Sequence, residues 1–345
     1  MELNSVTSSA AAMDVPARAY PPVLLFCHPS MEILAKKIVA SVAESKGARN
    51  YRLVELHNNL QWDSFADGWP NIFIDNVKEI AGRDVILLVS FDSPSVIFEQ
   101  LAVIYSLPRY LIRSFRIILP YFPTATMERV DREGQIVTAK TLATMLSVVP
   151  LAARGPAQIF IFDIHTLQER FYFTDQVIPR LLTAMPLLLT ELRALPDSHN
   201  VSVAFPDDGA YKRFSSELSC FPTITCIKVR TGAKRVINIK EGVTEGRHVV
   251  IVDDLVQTGG TLLECAKAIR AAGATSVSIF ITHGVFPAES WKKFINGEVT
   301  FENIWITDSI PHCLEIAKQR PFKLLTLSQM IADSLLGYDL VSESQ

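Results

Sequence analysis

A chain of 345 residues, 49% of them apolar, with a formal net charge of −3, is long enough for two domains by the usual domain-size range. The near-neutral charge excludes a strong basic field for nucleic acid, and no run of about 18 uninterrupted apolar residues is present to span a membrane. Five cysteines, Cys27, Cys220, Cys226, Cys265 and Cys313, are odd in number and lack metal-type spacing, which argues against structural zinc and for reduced thiols in a cytoplasmic enzyme.

Residues 1–20 are rich in Ser and Ala, but Glu2, Asp14 and a lone Arg18 fit an organellar transit peptide poorly, so a disordered tail is expected. From Pro22 onward, short apolar runs alternate with helical patterns, the pattern of parallel βαβ architecture. The first half predicts strands at 23–26, 85–90, 116–119 and 158–162, with a helix over 31–45. The second predicts strands at 201–204, 249–252, 277–281 and 304–306, led in by a helix over 179–195. A boundary near 173–179 divides the chain into 21–176 and 177–345. The last helix, 327–336, is a candidate to pack back on the first half.

Open α/β sheets bind ligands just beyond the carboxyl ends of their strands, and polar residues gather there in this chain. After 158–162 comes Asp163-Ile164-His165, a spacing that points both side chains to one side of an extended segment, where they could share a metal. After 201–204 comes another carboxylate-bearing turn at a strand end, Asp207-Asp208-Gly209. The basic stretch 228–242, KVRTGAKRVINIKEG, reads as a mobile hairpin able to fold over a polyanion.

Immediately after it, 249–261 reads VVIVDDLVQTGGT. The β-branched run 249–252 suits a buried parallel strand, which leaves Asp253 and Asp254 at its carboxyl end. Gln257 leads into Thr258, Gly259, Gly260 and Thr261, which open a helix. Amides of a glycine-bearing loop and a helix N-terminus converge on one spot that suits a phosphate, and the two carboxylates suit sugar hydroxyls. No Gly-Lys dipeptide occurs and no G-x-G-x-x-G follows a strand, so any ATP is held without a Walker A or dinucleotide-binding loop.

The 249–261 stretch resembles the ribose-phosphate loop shared by type I phosphoribosyltransferases and phosphoribosyl diphosphate synthetases. Length favours the synthetases, as does 119–140, LPYFPTATMERVDREGQIVTAK, which is similar to their ATP-binding loop. The spellings PTATMER and DLVQTGG resemble the plant-type second class of ribose-phosphate diphosphokinases. The resemblance implies two tandem phosphoribosyltransferase-type α/β domains, each a mostly parallel sheet flanked by helices, ATP on the first and ribose 5-phosphate on the second. It also implies Mg2+ as cofactor and attack of the anomeric hydroxyl of ribose 5-phosphate on the β-phosphorus of ATP, releasing AMP.

By that resemblance, Asp163 and His165 are magnesium and nucleotide ligands, Gln168 is a softer nucleotide contact, and Asp207 lies between ribose hydroxyls and magnesium. In the ATP loop Arg129 keeps its charge and Arg132 compensates for positions held here by Thr126 and Met127. Phe65 and Asp67 match a segment that reaches adenine from a neighbouring subunit, which implies a homo-oligomer; Trp69 departs from the family's acid. Lys234 and Arg235 match the catalytic basic loop, whose further arginine is replaced by Val236. Two rivals are a nucleobase phosphoribosyltransferase and a noncatalytic regulatory subunit of a synthetase.

Overall fold

The computed structural model describes residues 21–45, 52–231 and 234–336, with the side chains of 125, 228–236 and 336 outside the described set. The stretch 1–20, expected as a tail, lies outside it. Two sheets organise the chain. The first takes β1 (Val23–Cys27) and β2 (Val54–Leu56); a separate hairpin, β3 (Leu60–Ser64) and β4 (Pro70–Ile74), follows; then come β5 (Asp84–Leu88), β6 (Ser114–Ile118), β7 (Ala157–Phe162) and β8 (Val177–Leu182). The second takes β9 (Val201–Phe205), β10 (Thr223–Thr231), β11 (Lys234–Glu241), β12 (His248–Val256), β13 (Ser276–Gly284), β14 (Ile304–Thr307) and β15 (Phe322–Leu325).

In the first sheet the order is β2-β1-β5-β6-β7-β8 and all pairings are parallel. The second runs β11-β10-β9-β12-β13-β14-β15, parallel except for the β10–β11 hairpin. Strands such as β5 (DVILL) are buried throughout because helices cover both faces of a parallel sheet.

Those helices are α1 (Glu32–Ser45), α2 (Pro94–Ser106), α3 (Thr138–Ser147), α4 (Met185–Ala194), α5 (Asp208–Phe214), α6 (Gly260–Ala271), α7 (Lys292–Ile295), α8 (Cys313–Ile316) and α9 (Ser328–Leu336). Helices α2 and α3 cover the outer face of the first sheet, and α6 to α8 that of the second. Between the sheets lies one shared core: Leu25 and Ile86 from the first, Val203 and Val252 from the second, with Ile38 of α1, Leu188 of α4 and Ile331 and Leu335 of α9. Helix α9 returns to α1 as a side-chain contact, Ser41 Oγ lying 3.3 Å from Ser328 Oγ.

One segment differs from expectation. The predicted helix over 179–195 is a strand followed by a shorter helix: β8 pairs with β7 from Val177 to Leu182, so the chain stays in the first sheet through Leu182. A proline at 179 would interrupt a helix interior, but an edge strand tolerates a missing N–H. Pro186, in the first turn of α4, sits where a helix has no use for that N–H.

In the second sheet the chain places β10 on one side of β9 and β12 on the other. The carboxyl ends of β9 and β12 therefore flank a topological switch point, the crevice where open α/β sheets take ligands.

Candidate active site

Pairing with β13 carries β12 through Asp253 to Val256, so the acidic pair belongs to the strand's last turn of pleat rather than to a loop. Asp254 is buried and Asp253 partly so. Burial, reinforced by the charges of Asp254 and Asp207, raises the Asp253 carboxyl well above the usual carboxylate range. Gln257 and Thr258 are exposed, and the backbone then turns at Gly259, whose φ of +79° lies in the left-handed region. Glycine is required there twice, since a Cβ would also lie 2.4 Å from Cε2 of Phe294.

Among the described residues the N–H groups of Thr258 and Gly259 have no acceptor, and those of Gly260 and Thr261 open α6, where a helix supplies none. A Cβ added at Gly260 would meet open space. This is an amide cradle on a helix N-terminus, exposed to a cleft of about 850 Å³.

The opposite side of the cleft comes from the first lobe. His165, beyond β7, reaches across to Asp254 with Nδ1 2.7 Å from Oδ2, and its Nε2 has no partner among the described residues. That hydrogen bond raises the His165 imidazole above its usual value against the opposing effect of burial. Thr126, Glu128 and Arg129 of the 119–140 loop also line the cleft. Arg129 Nε lies 3.2 Å from Asp131 Oδ1, and its guanidinium reaches to 3.8 Å from Glu128.

Asp207 lines the cleft from the end of β9 and caps α5, its Oδ1 accepting from the amides of Gly209 and Ala210, each at 3.1 Å. Asp208 is exposed, 3.7 Å from Lys240.

Asp163 departs from expectation. Its φ of +33° breaks the extended alternation that was to put it beside His165, and its side chain is fully buried in the junction between the lobes. Oδ2 accepts from the amide of Ala184 (2.9 Å) and from Thr282 Oγ1 (2.7 Å), while Arg213 Nη2 stands 3.6 Å from Oδ1. In this structure the Asp163 side chain faces the junction and ties the two lobes together. Gln168 and Arg132 are exposed and do not line the cleft. Phe65 and Asp67 are exposed at the tip of the β3–β4 hairpin, also outside it, and Trp69 packs edge-on against Phe98 of α2 at 5.3 Å. Lys234 and Arg235 begin β11, paired to Thr231 and Arg230 of β10; their side chains lie outside the described set.

Sequence reading passed over two residues. Arg213 lines the cleft from the last turn of α5 while holding Asp163; its signal was a basic residue six positions past the Asp207 turn. Glu128 carried none, since an acid inside a phosphate-directed loop reads against the charge expected there.

Among the described residues no group of three or more His, Cys, Asp or Glu side chains converges to hold a metal, and no helix is long and apolar enough to cross a membrane.

A family model described as the N-terminal domain of ribose phosphate pyrophosphokinase matches residues 23–149, and one described as a phosphoribosyl synthetase-associated domain matches 213–338. Ribose-phosphate pyrophosphokinase 3, chloroplastic, of Oryza sativa subsp. japonica is 50% identical over 323 residues, 92% of this chain and 76% of that protein. Ribose-phosphate pyrophosphokinase 4 of Arabidopsis thaliana is 52% identical over 296 residues, 84% of this chain and 88% of that protein. The fold matches the crystal structure of phosphoribosylpyrophosphate synthetase from Mycobacterium smegmatis with a TM-score of 0.75 at 23% identity, covering 91% of this chain and 97% of that one.

Proposed function

The chain belongs to the ribose-phosphate pyrophosphokinase family, and from that premise we propose that the inter-lobe cleft is where it runs the reaction. The activity is transfer of the diphosphoryl group of ATP to the C1 hydroxyl of ribose 5-phosphate, giving 5-phosphoribosyl 1-diphosphate and AMP. One observation carries the assignment of the site: an amide cradle at 258–261 shares the cleft with two carboxylates, one of which, Asp254, bonds a histidine of the other lobe.

In this reading the cradle holds the 5-phosphate, with Gln257 and the Thr258 and Thr261 hydroxyls beside it. Asp253 and Asp254 accept from the ribose hydroxyls, and the sugar's C1 oxygen then faces the first lobe. His165, Thr126 and Arg129 lie on the ATP side. Lys234 and Arg235, on the hairpin that precedes β12, supply positive charge to the transferring group. Phosphoryl-type transfer depends chiefly on alignment and charge stabilisation, so no covalent enzyme intermediate is required.

Magnesium belongs to the same proposal. The donor set fits it: Asp207 and Asp253 offer hard oxygens, and Asp253, its carboxyl raised by burial and then by the charges of Asp254 and Asp207, stands where a cation would offset that repulsion. A two-carboxylate site suits an ion that keeps several waters and substrate oxygens. Held there, it would supply charge neutralisation to the phosphates. The exposed Phe65 and Asp67, standing outside this chain's own cleft, support an adenine contact given to a neighbouring subunit, hence a homo-oligomer.

The test is AMP formation from ATP, measured with and without ribose 5-phosphate and magnesium. Activity that requires both is expected. Consumption of phosphoribosyl diphosphate with a free nucleobase, or AMP release indifferent to ribose 5-phosphate, would overturn the reading.

A further inference from the structure

Behind the 257–261 loop runs a strap, residues 285–294, that leads from the end of β13 into α7. Three non-glycine residues in it, Phe286, Ala288 and Glu289, have φ of +41°, +50° and +53°. L side chains rarely adopt that region unless the surroundings impose it, and such backbone collects where geometry matters to function. The strap packs on Phe322 of β15 on one side and bears on the end of β12 and the loop on the other. The amides of Val285 and Phe286 donate to Val256 O at 3.0 and 3.4 Å, and Ser290 Oγ donates to Gln257 O at 2.9 Å. Phe294 puts its ring where a Cβ of residue 259 would be, and is itself wedged edge-on by Phe286 at 5.7 Å. Ser290 and Phe294 are buried and line no part of the ribose-phosphate cleft.

A planar trans peptide points its C=O and the following N–H in opposite directions. The hydroxyl that draws the Gln257 carbonyl backward therefore turns the Thr258 N–H forward into the cleft. The Val256 carbonyl, held by two strap amides, does the same for Gln257 N–H. The Phe294 ring leaves room only for a glycine at 259. An anion site made of amides binds well only if those amides already point at the anion, because reorienting them on binding would consume the affinity.

We infer that Ser290 and Phe294 are positioning residues for ribose 5-phosphate: they hold the amide cradle preformed from behind and touch no substrate. This rests on the cleft being the ribose-phosphate site.

The experiment measures KM for ribose 5-phosphate, KM for ATP, kcat and melting temperature for Ser290→Ala, Ser290→Thr and Phe294→Leu, with Asp254→Ala in parallel. Loss of one hydrogen bond that orients the cradle is expected to raise KM for ribose 5-phosphate about tenfold in Ser290→Ala, with KM for ATP and kcat within about twofold. Ser290→Thr, which keeps the hydroxyl, restores the affinity. Phe294→Leu shifts the same constant in the same direction, and it carries the test should Ser290→Ala fail to fold. Equal changes in both KM values, or no rescue by threonine, would show a merely structural role. If Asp254→Ala raises KM for ribose 5-phosphate and neither strap variant does, the strap inference alone fails. If Asp254→Ala leaves that KM unchanged, the reading of the cleft falls and the inference with it.

Discussion

At the scale of single residues, the chemistry divides between groups that meet substrate and groups that hold them. Lys234 belongs to the first kind in the proposed mechanism. Removing one donor aimed at developing charge costs about a hundred- to a thousandfold in turnover, so Lys234→Ala should lose kcat to that extent with KM for ribose 5-phosphate nearly kept. Steady-state kinetics with ribose 5-phosphate varied decide it, and an unchanged kcat removes Lys234 from the mechanism.

Glu169 belongs to the second kind. Its Oε1 accepts from the Thr166 amide at 3.1 Å, and its buried Oε2 has no partner among the described residues. Burial pushes this carboxyl from 4.5 up to about 7, outweighing the Thr166 hydrogen bond and the His165 charge. A carboxyl whose folded pKa is raised binds its proton more tightly in the native state, so its contribution is whole below pH 4.5 and is lost as pH climbs to about 7. Glu169→Gln stays neutral at every pH. Its melting temperature relative to wild type should therefore rise between these two values and level off above them. Parallel melting curves across that range would refute the role.

At the scale of elements, the site is a product of where β12 ends and α6 begins. Gly259 joins the two in a left-handed turn that an L side chain adopts at a cost of about 1–2 kcal/mol, before any clash with Phe294. Gly259→Ala is expected to lower stability by at least that much, read by denaturant unfolding, and to weaken ribose 5-phosphate more than ATP. This element was open to sequence reading because every signal in it is local: a β-branched run, two acids, then glycines at a helix start.

Strand β8 was closed to such reading. VIPRLL has the apolar character of either a helix or a strand, and only the open edge beside β7 makes it a strand. The same holds for Asp163. The Asp-x-His spacing implies one shared side only while the backbone stays extended, and a single positive φ sends the carboxylate into the junction instead.

At the scale of the whole molecule, the two sheets are not separate bodies joined by a linker. They share the core that α1, α4 and α9 fill, with Asp163, Arg213 and Thr282 tying its rim. Ile331 of α9 is 2% exposed within that core. Truncating it to alanine should cost about 2–5 kcal/mol, the usual range for a buried Ile-to-Ala change. Because the cavity falls between the sheets, calorimetry is expected to show one transition moved down as a unit; two transitions, only one of them displaced, would mean that the lobes unfold independently.

Periodicity and end signals determined from the sequence alone that the chain is a two-sheet α/β protein, and that an anion-binding loop with two carboxylates follows one strand of the second sheet. These are near-neighbour properties, set by residues within a few positions of one another. Tertiary structure alone decided that His165 meets Asp254, 89 residues away, that Asp163 is buried as a tether, and that Ser290 and Phe294 stand behind the cradle. Each of those outcomes depends on which sheet faces meet and where the chain crosses between them, and no spacing along the sequence encodes that distance.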